Sequence, residues 1–505
     1  MKKFTTQFRN SFIFIFLGFS VLGSLVQAAG LPNKTASPVI VNGRVPQPLT
    51  PIRRLLMDDS AFADQKIKSE NFMIQNLNIP GVRPGIIVAS PSQNAPNYFF
   101  HWIRDAAITF MQVQNLYLTD AGGIRNSIQS WMTSHMSLNI GFQAIPNLMA
   151  GLGEPKFNFD GSAFQGPWGR PQTDGPALRA ISFIYFLNTV IKENWPNQNE
   201  ILARLYSPTM PNHSLIKLDL EYVAHNWNIS SFDLWEEAYG AHFFTLMVQR
   251  RALMAGAQLA RRLGDNGAAQ FYSQQAQSIG QALQAFWNSN LNYILTSINV
   301  LSGPRKVTSL DSSVLLAALY GDIGDGYYAP YDDRVLATLQ ALKDVFQKEY
   351  PLNRDPNLGV AMGRYPEDTY DGVNTNSIGN PWFIASQAAA EVYYRTALHL
   401  LQVKQLQINP INLRFFNSLM NGQTIFKNGQ VIANNDAAIK AIAQQLFAQG
   451  DRELELTLMH RGSDGALSEQ INRNSGYMQG AVNLTWSHAS YLSALAWRNY
   501  IRNQM

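Results

Sequence analysis

In the segment Phe232-Asp233-Leu234-Trp235-Glu236-Glu237-Ala238-Tyr239-Gly240, two carboxylates directly follow a tryptophan. A carboxyl beside a large apolar ring loses hydration, which disfavours its charged form and suits it to donate a proton. Neighbouring side chains diverge in an extended or turning segment, so Glu236 and Glu237 would hold different jobs. The plain structural alternative is an exposed acidic pair opening a helix, where carboxylates favour the helix dipole. Four other clusters bear on that choice, each mixing aromatics with charged or amide groups. One is Tyr98-Phe99-Phe100-His101-Trp102-Ile103-Arg104-Asp105; another joins Gly153-Glu154-Pro155-Lys156-Phe157 to Phe164, Trp168-Gly169-Arg170-Pro171 and Asp174-Gly175-Pro176. The others are Gly363-Arg364-Tyr365-Pro366-Glu367-Asp368-Thr369-Tyr370 with Asn380-Pro381-Trp382, and Leu467-Ser468-Glu469-Gln470 with Thr485-Trp486-Ser487-His488. Aromatic planes cover the apolar C–H faces of a sugar ring while Arg, Asp, Glu and Gln bond its hydroxyls, the mixture small-molecule pockets use. A single tryptophan is more simply core, and Arg104-Asp105 alone is an ordinary ion pair. Five such clusters strain a purely structural account.

Groups so scattered need a rigid scaffold that gathers loops at one place. From about Leu55 onward, amphipathic stretches alternate with long loops rich in Gly, Pro, Asn and Asp. The pattern predicts helices near Ala106–Tyr117, Gly122–Met136, Ala177–Ile191, His242–Leu263, Ala268–Trp287 and Ser312–Tyr320. Others are expected at Asp333–Lys348, Trp382–Gln402, Ala437–Gln449 and Leu484–Tyr500. In His242–Leu263, for example, Phe244, Met247, Val248, Leu253, Leu259 and Leu263 recur at roughly helical spacing. Strand patterns are scarce: Gly85–Ser90, Tyr293–Ser297 and a hairpin at Gln423–Ala433 turning at Asn428-Gly429. About a dozen helices with long loops suggest an all-α array of helical hairpins closed on itself, with loops building a pocket at one end.

Composition bounds the rest. Of 505 residues, 46% are hydrophobic and 15% charged, so a sizeable core can be buried. Residues 1–28 carry Lys2, Lys3 and Arg9, an apolar run from Phe12 to Val26 and small residues at Ala28-Ala29, which reads as a secretory signal peptide. An uncleaved anchor is the second reading, and no later stretch is long and apolar enough to span a bilayer. Residues 29–54 read as an N-terminal arm and 55–505 as one catalytic domain. Removing the three basic residues of 1–28 lowers the formal charge from +4 to +1. Nucleic-acid binding, which needs a clustered basic face, is not expected. Cysteine is absent, which excludes disulfides and thiolate sites, and the eight histidines include no pair at metal-ligand spacing. No metal or cofactor is expected, and the exported protein is expected to be a monomer.

Taken in order, Trp102-Ile103-Arg104-Asp105, Gly153-Glu154-Pro155-Lys156-Phe157 with Trp168-Gly169-Arg170-Pro171, Asp233-Leu234-Trp235-Glu236-Glu237, Arg364-Tyr365-Pro366-Glu367-Asp368 and Ser468-Glu469-Gln470 resemble the glucoamylase family of inverting glycoside hydrolases. The resemblance covers about residues 55–502. It implies an (α/α)6 barrel of six inner and six outer helices, and release of glucose from the non-reducing ends of α-1,4-glucans. By similarity, Glu236 is the general acid and Glu469 the general base, roughly 6.5–9.5 Å apart with water between them. Arg104 and Asp105 look like clamps on the terminal glucose, and Arg364 and Glu237 like holders of the next sugar. Tyr98, Trp102, Trp168 and Trp486 look like pocket walls, Arg170 like a further substrate contact, and Gln470 like an orienter of water. Trp235 and Asp233 would support the acid, with the Trp235 carbonyl near substrate. Two positions depart from the family pattern: Phe164 stands where many relatives carry tyrosine, and Gly480 where many carry serine. No segment resembles a starch-binding module, so soluble maltooligosaccharides are the expected substrates. Two alternatives stay open: a relative of the same fold acting on α-1,6-glucans or trehalose, and a secreted glycan-binding protein without catalysis.

Overall fold

Helices buried all round alternate along the chain with helices buried on one stripe, and that alternation builds the architecture. The computed structural model describes residues 59–119, 123–209, 214–420, 425–433 and 436–505; the expected signal peptide and arm lie outside the described residues. In chain order the helices are α1 (Asp59–Leu77), α2 (Ile103–Thr119), α3 (Arg125–Gln143), α4 (Asp174–Lys192) and α5 (Gln198–Leu205). Next come α6 (Leu215–Asn226), α7 (Phe243–Arg262), α8 (Asn266–Leu283), α9 (Ser313–Tyr320) and α10 (Asp333–Glu349). The last are α11 (Phe383–Val403), α12 (Leu413–Ser418), α13 (Asp436–His460) and α14 (Thr485–Arg502). α7 buries every residue from Phe243 to Gln249, whereas α8 buries only Ala269, Tyr272, Ala276, Ile279 and Leu283, a single stripe. A helix apolar all round belongs inside and a striped one outside.

The contacts follow that rule. α2, α4, α7, α9, α11 and α14 each pack on the next, and α14 returns to α2, closing an inner ring. Outside them, α3 lies on α2, α6 on α4, α8 on α7, α10 on α9, α13 on α11 and α1 on α14. The fold is the expected all-α (α/α)6 barrel, its last hairpin closed by the first described helix.

All ten helices expected from the sequence are present, with ends shifted by up to four residues except that α3 runs on to Gln143 and α13 to His460. The strand expectations need correction. Gly85–Ser90 forms no strand and pairs with no single neighbour: Gly85 turns with φ 89°, and the amides of Val88, Ala89 and Ser90 donate to the carbonyls of Asn76, Phe100 and Tyr98. Tyr293–Ser297 divides into Tyr293–Ile294 and Ser297–Ser302, which join different ribbons. Gly429 does turn with φ 82°, yet Val431–Ala433 pairs antiparallel with Gln405–Gln407, so the expected local hairpin is a longer-range ribbon.

Every connection from an outer helix into the next inner helix carries a group foreseen as functional or in contact with one. Small antiparallel ribbons stiffen these connections: Phe100–Trp102 with Lys156–Asn158, Ser231–Phe232 with Tyr239–His242 and Ser297–Ser302, and Gln470–Ile471 with Met478–Gln479. The inner helices therefore begin where the pocket lies, and their N-terminal dipoles bring partial positive charge to a site rich in carboxylates.

Candidate active site

Glu236 sits on a tight turn between the two strands Ser231–Phe232 and Tyr239–His242. Its amide donates to the Asp233 carbonyl at 2.9 Å, and its φ of 66° lies in the left-handed region. For a residue with a Cβ that conformation costs about 1–3 kcal/mol and persists only where the surroundings impose it. Here they do. Asp233 Oδ1 accepts from the amides of Glu237 (2.8 Å) and Ala238 (3.0 Å), while Asp233 Oδ2 meets Lys306 Nζ at 3.0 Å. Burial alone would raise the Asp233 pKa; Lys306, His242 and the two amides outweigh it and hold the carboxyl at about 2.

Both carboxylate oxygens of Glu236 accept hydrogen bonds. Arg104 Nη2 lies 2.9 Å from Oε1, and Trp168 Nε1 donates to Oε2 at 2.7 Å. Arg104, only 4% exposed, also bonds Asp174 (2.8 Å) and Gln172 (3.0 Å) and approaches Asp105 at 3.7 Å. Burial pushes the Asp105 carboxyl up to about 7 against the pull of Arg104, with Glu236 adding to the rise. Trp168 is 38% exposed and stands over Lys156, whose Nζ lies 3.2 Å from its ring centroid. Phe164, Phe100 and Trp102 complete an aromatic cage around that ammonium at 4.1, 4.4 and 4.6 Å. Burial lowers the Lys156 pKa to about 8.

Glu469, 1% exposed, comes from the connection between α13 and α14. Tyr98 OH donates to its Oε1 at 2.8 Å, Tyr370 OH to its Oε2 at 3.3 Å, and Gln470 Nε2 reaches Oε2 at 3.5 Å. Burial raises the Glu469 pKa to about 8, opposed by Tyr98, Arg364 and Tyr370. Gly480 (φ 76°) lies against this carboxyl so closely that a Cβ would press on Oε2. Trp168, Trp102 and Tyr98 form an arc with successive ring centroids 5.9 and 5.4 Å apart, and the arc ends on Glu236 at one side and Glu469 at the other. The chain thus brings its two distant carboxyls to opposite ends of one aromatic wall.

The remaining expected residues gather around the same place. Arg364 Nη2 contacts Glu237 Oε1 at 2.7 Å and Asp368 Oδ1 at 2.6 Å, and Tyr365 OH donates to Glu237 Oε2 at 2.7 Å. Burial raises the Glu237 pKa while Arg364 opposes it. Trp235 donates to Asp311 at 2.9 Å, and Trp486 donates to Tyr320 OH at 3.0 Å. Arg170, expected as a further substrate contact, lies just beyond Trp168 in the chain. Its nitrogens bond Glu154 Oε1 (2.6 Å) and the carbonyls of Gly166 (3.0 Å) and Phe164 (2.9 Å), which makes it a brace of the loop carrying Trp168. Sequence reading passed over Lys306, Asp311 and Tyr320. Asp311 alone left a signal, an acid just before a helix, and its Oδ1 does accept from the Ser313 amide at 2.8 Å. Two surface hollows of about 680 and 530 Å³, lined in part by Tyr331 and His399 and by Arg250 and Tyr327, contain none of these residues. Convergent acids, a guanidinium and aromatics mark the site near Glu236 and Glu469 instead.

Chemically, the arrangement offers a carboxyl on the open edge of a tryptophan, a second on two tyrosines, and charged groups able to hold hydroxyls. Glycosyl hydrolases family 15 matches residues 65–496. Glucoamylase 1 of Rhizopus oryzae is 38% identical over 424 residues, covering 84% of this chain and 68% of its own. A probable glucoamylase of Schizosaccharomyces pombe is 33% identical over 505 residues, covering 96% and 99%. Among solved structures, the glucoamylase from Saccharomycopsis fibuligera superposes with a TM-score of 0.77 at 32% identity, covering 88% of this chain and 96% of that one.

Proposed function

The chain belongs to family 15 of the glycosyl hydrolases, and on that premise we propose that it is an exo-acting glucan 1,4-α-glucosidase working with inversion. Glu236 protonates the glycosidic oxygen as the C1–O bond breaks. Glu469 takes a proton from the water whose oxygen attacks C1 from the opposite face. Arg104 and Asp105 hold the terminal glucose, and Glu237 and Arg364 hold the sugar that leaves. The observation that carries this reading is the aromatic arc with one carboxyl at each end, which leaves a sugar face to stack between them. Inversion requires the two carboxyls to stand roughly 6.5–9.5 Å apart, with the water between them. Each oxygen of Glu236 accepts one hydrogen bond and keeps a second lone pair for the proton, and Trp168, on Oε2, is the more exposed of the two partners.

The two roles can be separated by substrate. Glu236→Gln and Glu469→Gln should each lower turnover of maltotetraose by about 10²–10⁴-fold. On α-glucosyl fluoride, whose leaving group needs no proton, Glu236→Gln should recover most of the rate and Glu469→Gln none. Glucose released from maltotetraose should appear first as the β-anomer. Release of the α-anomer, or faster turnover of trehalose than of maltose, would overturn the reading. The enzyme is exported by residues 1–28 and acts as a monomer on soluble maltooligosaccharides.

A further inference from the structure

Lys306 lies in the connection between α8 and α9, and its side chain is only 5% exposed. Its ammonium meets two carboxylates at once, Asp233 Oδ2 at 3.0 Å and Asp311 Oδ2 at 2.8 Å, and lies 4.1 Å from the centroid of the Tyr365 ring. Each contact leads to the segment 233–237. Asp233 holds the amides of Glu237 and Ala238; Asp311 accepts the indole N–H of Trp235; Tyr365 donates to Glu237. Between these fixed points stands Glu236, in the left-handed conformation its own side chain does not favour. The loop bearing Lys306 is itself pinned: Thr308 donates through its amide (2.7 Å) and hydroxyl (3.1 Å) to Glu367, and the Thr308 carbonyl accepts from Tyr293 OH (2.7 Å).

We infer that Lys306 is a positioning residue for the catalytic acid, joining Asp233 and Asp311 so that the strained turn presents the Glu236 carboxyl to the glycosidic oxygen. The inference rests on the reading of Glu236 as the acid. Removing the cation leaves two buried carboxylates facing each other with nothing between them, and like charges in a poorly hydrated place drive the segments apart. The turn then loses the partner of Asp233, and Glu236 is free to leave its left-handed conformation. A displacement of about 1 Å at a reacting group can cost about 10²-fold in rate. The loss falls on proton donation, because Arg104 keeps Asp174 and Gln172 when Glu236 shifts, and Glu469 keeps Tyr98.

The experiment compares maltose with α-glucosyl fluoride for Lys306→Met, with Glu236→Gln measured alongside. Lys306→Met should lower kcat on maltose by about 10–100-fold and lower the fluoride rate at least tenfold less, while KM for maltose changes little. Lys306→Arg should recover part of the maltose rate. Where Lys306→Met does not fold, the ratio is read on Lys306→Arg, whose planar fork cannot bring one nitrogen to both carboxylates. Equal losses on both substrates would overturn the inference, since a merely structural role harms both alike. A change confined to KM would also overturn it, placing the effect on the sugar held by Glu237. If Glu236→Gln itself fails to spare the fluoride, the acid reading falls and the inference with it; if Glu236→Gln spares it and the Lys306 variants do not, only the inference falls.

Discussion

Glu469 carries opposing influences that a single hydroxyl can tip. Burial disfavours its charge, and the hydrogen bonds from Tyr98 and Tyr370 together with the nearby Arg364 guanidinium favour it. A base must be ionised to accept a proton, so its raised pKa lowers the ionised fraction at any pH below about 8. Tyr98→Phe removes a donor that favours the ionised form, so the pKa rises further. A hydrogen bond to a charged group is worth about 1.5–3 kcal/mol and one pKa unit about 1.4, so the acid limb of kcat/KM should move upward by about one to two pH units. A pH profile whose acid limb stays in place would show that Glu469 is not the group that must lose its proton. Most of this site was legible in the sequence because its residues stand in short motifs: Arg104 with Asp105, Glu236 with Glu237, Glu469 with Gln470. Lys306 and Tyr320 were not, because each acts only across space, on Asp233 and on Trp486, from a segment whose composition says nothing.

Among the elements, helices packed through polar pairs escaped the hydrophobic pattern. α1 buries Phe62, Gln65, Ser69, Met73, Asn76 and Leu77, but three of the six are polar and interrupt the apolar repeat. They can be buried because Gln65 donates to Ser69 and the Gly465 carbonyl, Ser69 meets His488, and Asn76 donates to Thr485. α6 buries Lys217 and Asp219 beside an apolar stripe of Leu215, Ile216, Leu220, Val223 and Ala224. Asp219 accepts from Arg179 of α4 through both oxygens, at 2.8 and 2.7 Å, and from Gln143 of α3 at 2.9 Å. Burial raises the Asp219 pKa and Arg179 opposes that rise. Arg179→Met leaves a buried carboxyl without its cation, which should destabilise the protein by about 3–5 kcal/mol at pH 7. In that variant the folded pKa, already raised in the parent, climbs further above the unfolded value, so the folded state holds a proton that the unfolded state releases near neutral pH. The deficit relative to the parent should therefore shrink as pH falls from 7 towards about 4. Denaturant unfolding at the two pH values measures it, and a deficit independent of pH would assign the loss to packing alone.

At the scale of the whole molecule, the inner ring closes where α14 meets α2, and the first described helix completes the outer layer by packing on the last. α1 packs on α14, and the seam is built at Phe62, which is 1% exposed. Tyr491 OH donates to the Phe62 carbonyl at 3.1 Å, and the Arg498 guanidinium lies 4.1 Å from the centroid of its ring. Arg498 also bonds Asp59 of α1 (3.0 Å) and Asp451 of α13 (2.8 Å), so three helices converge on one seam. The C-terminal end of α1 leads toward the pocket through the connection to α2, which puts Phe62 at the opposite end of the barrel. Phe62→Ala removes a buried ring and should cost about 3–5 kcal/mol. For a domain of this size that lowers Tm by roughly 3–5 °C. Because each inner helix leans on both neighbours, an opened seam should propagate round the ring: helix content and activity should be lost together in one transition, with kcat at 25 °C close to the parent value. Two transitions, the first losing helix content while activity persists, would mean that α1 detaches alone and that the other five hairpins hold the pocket without it.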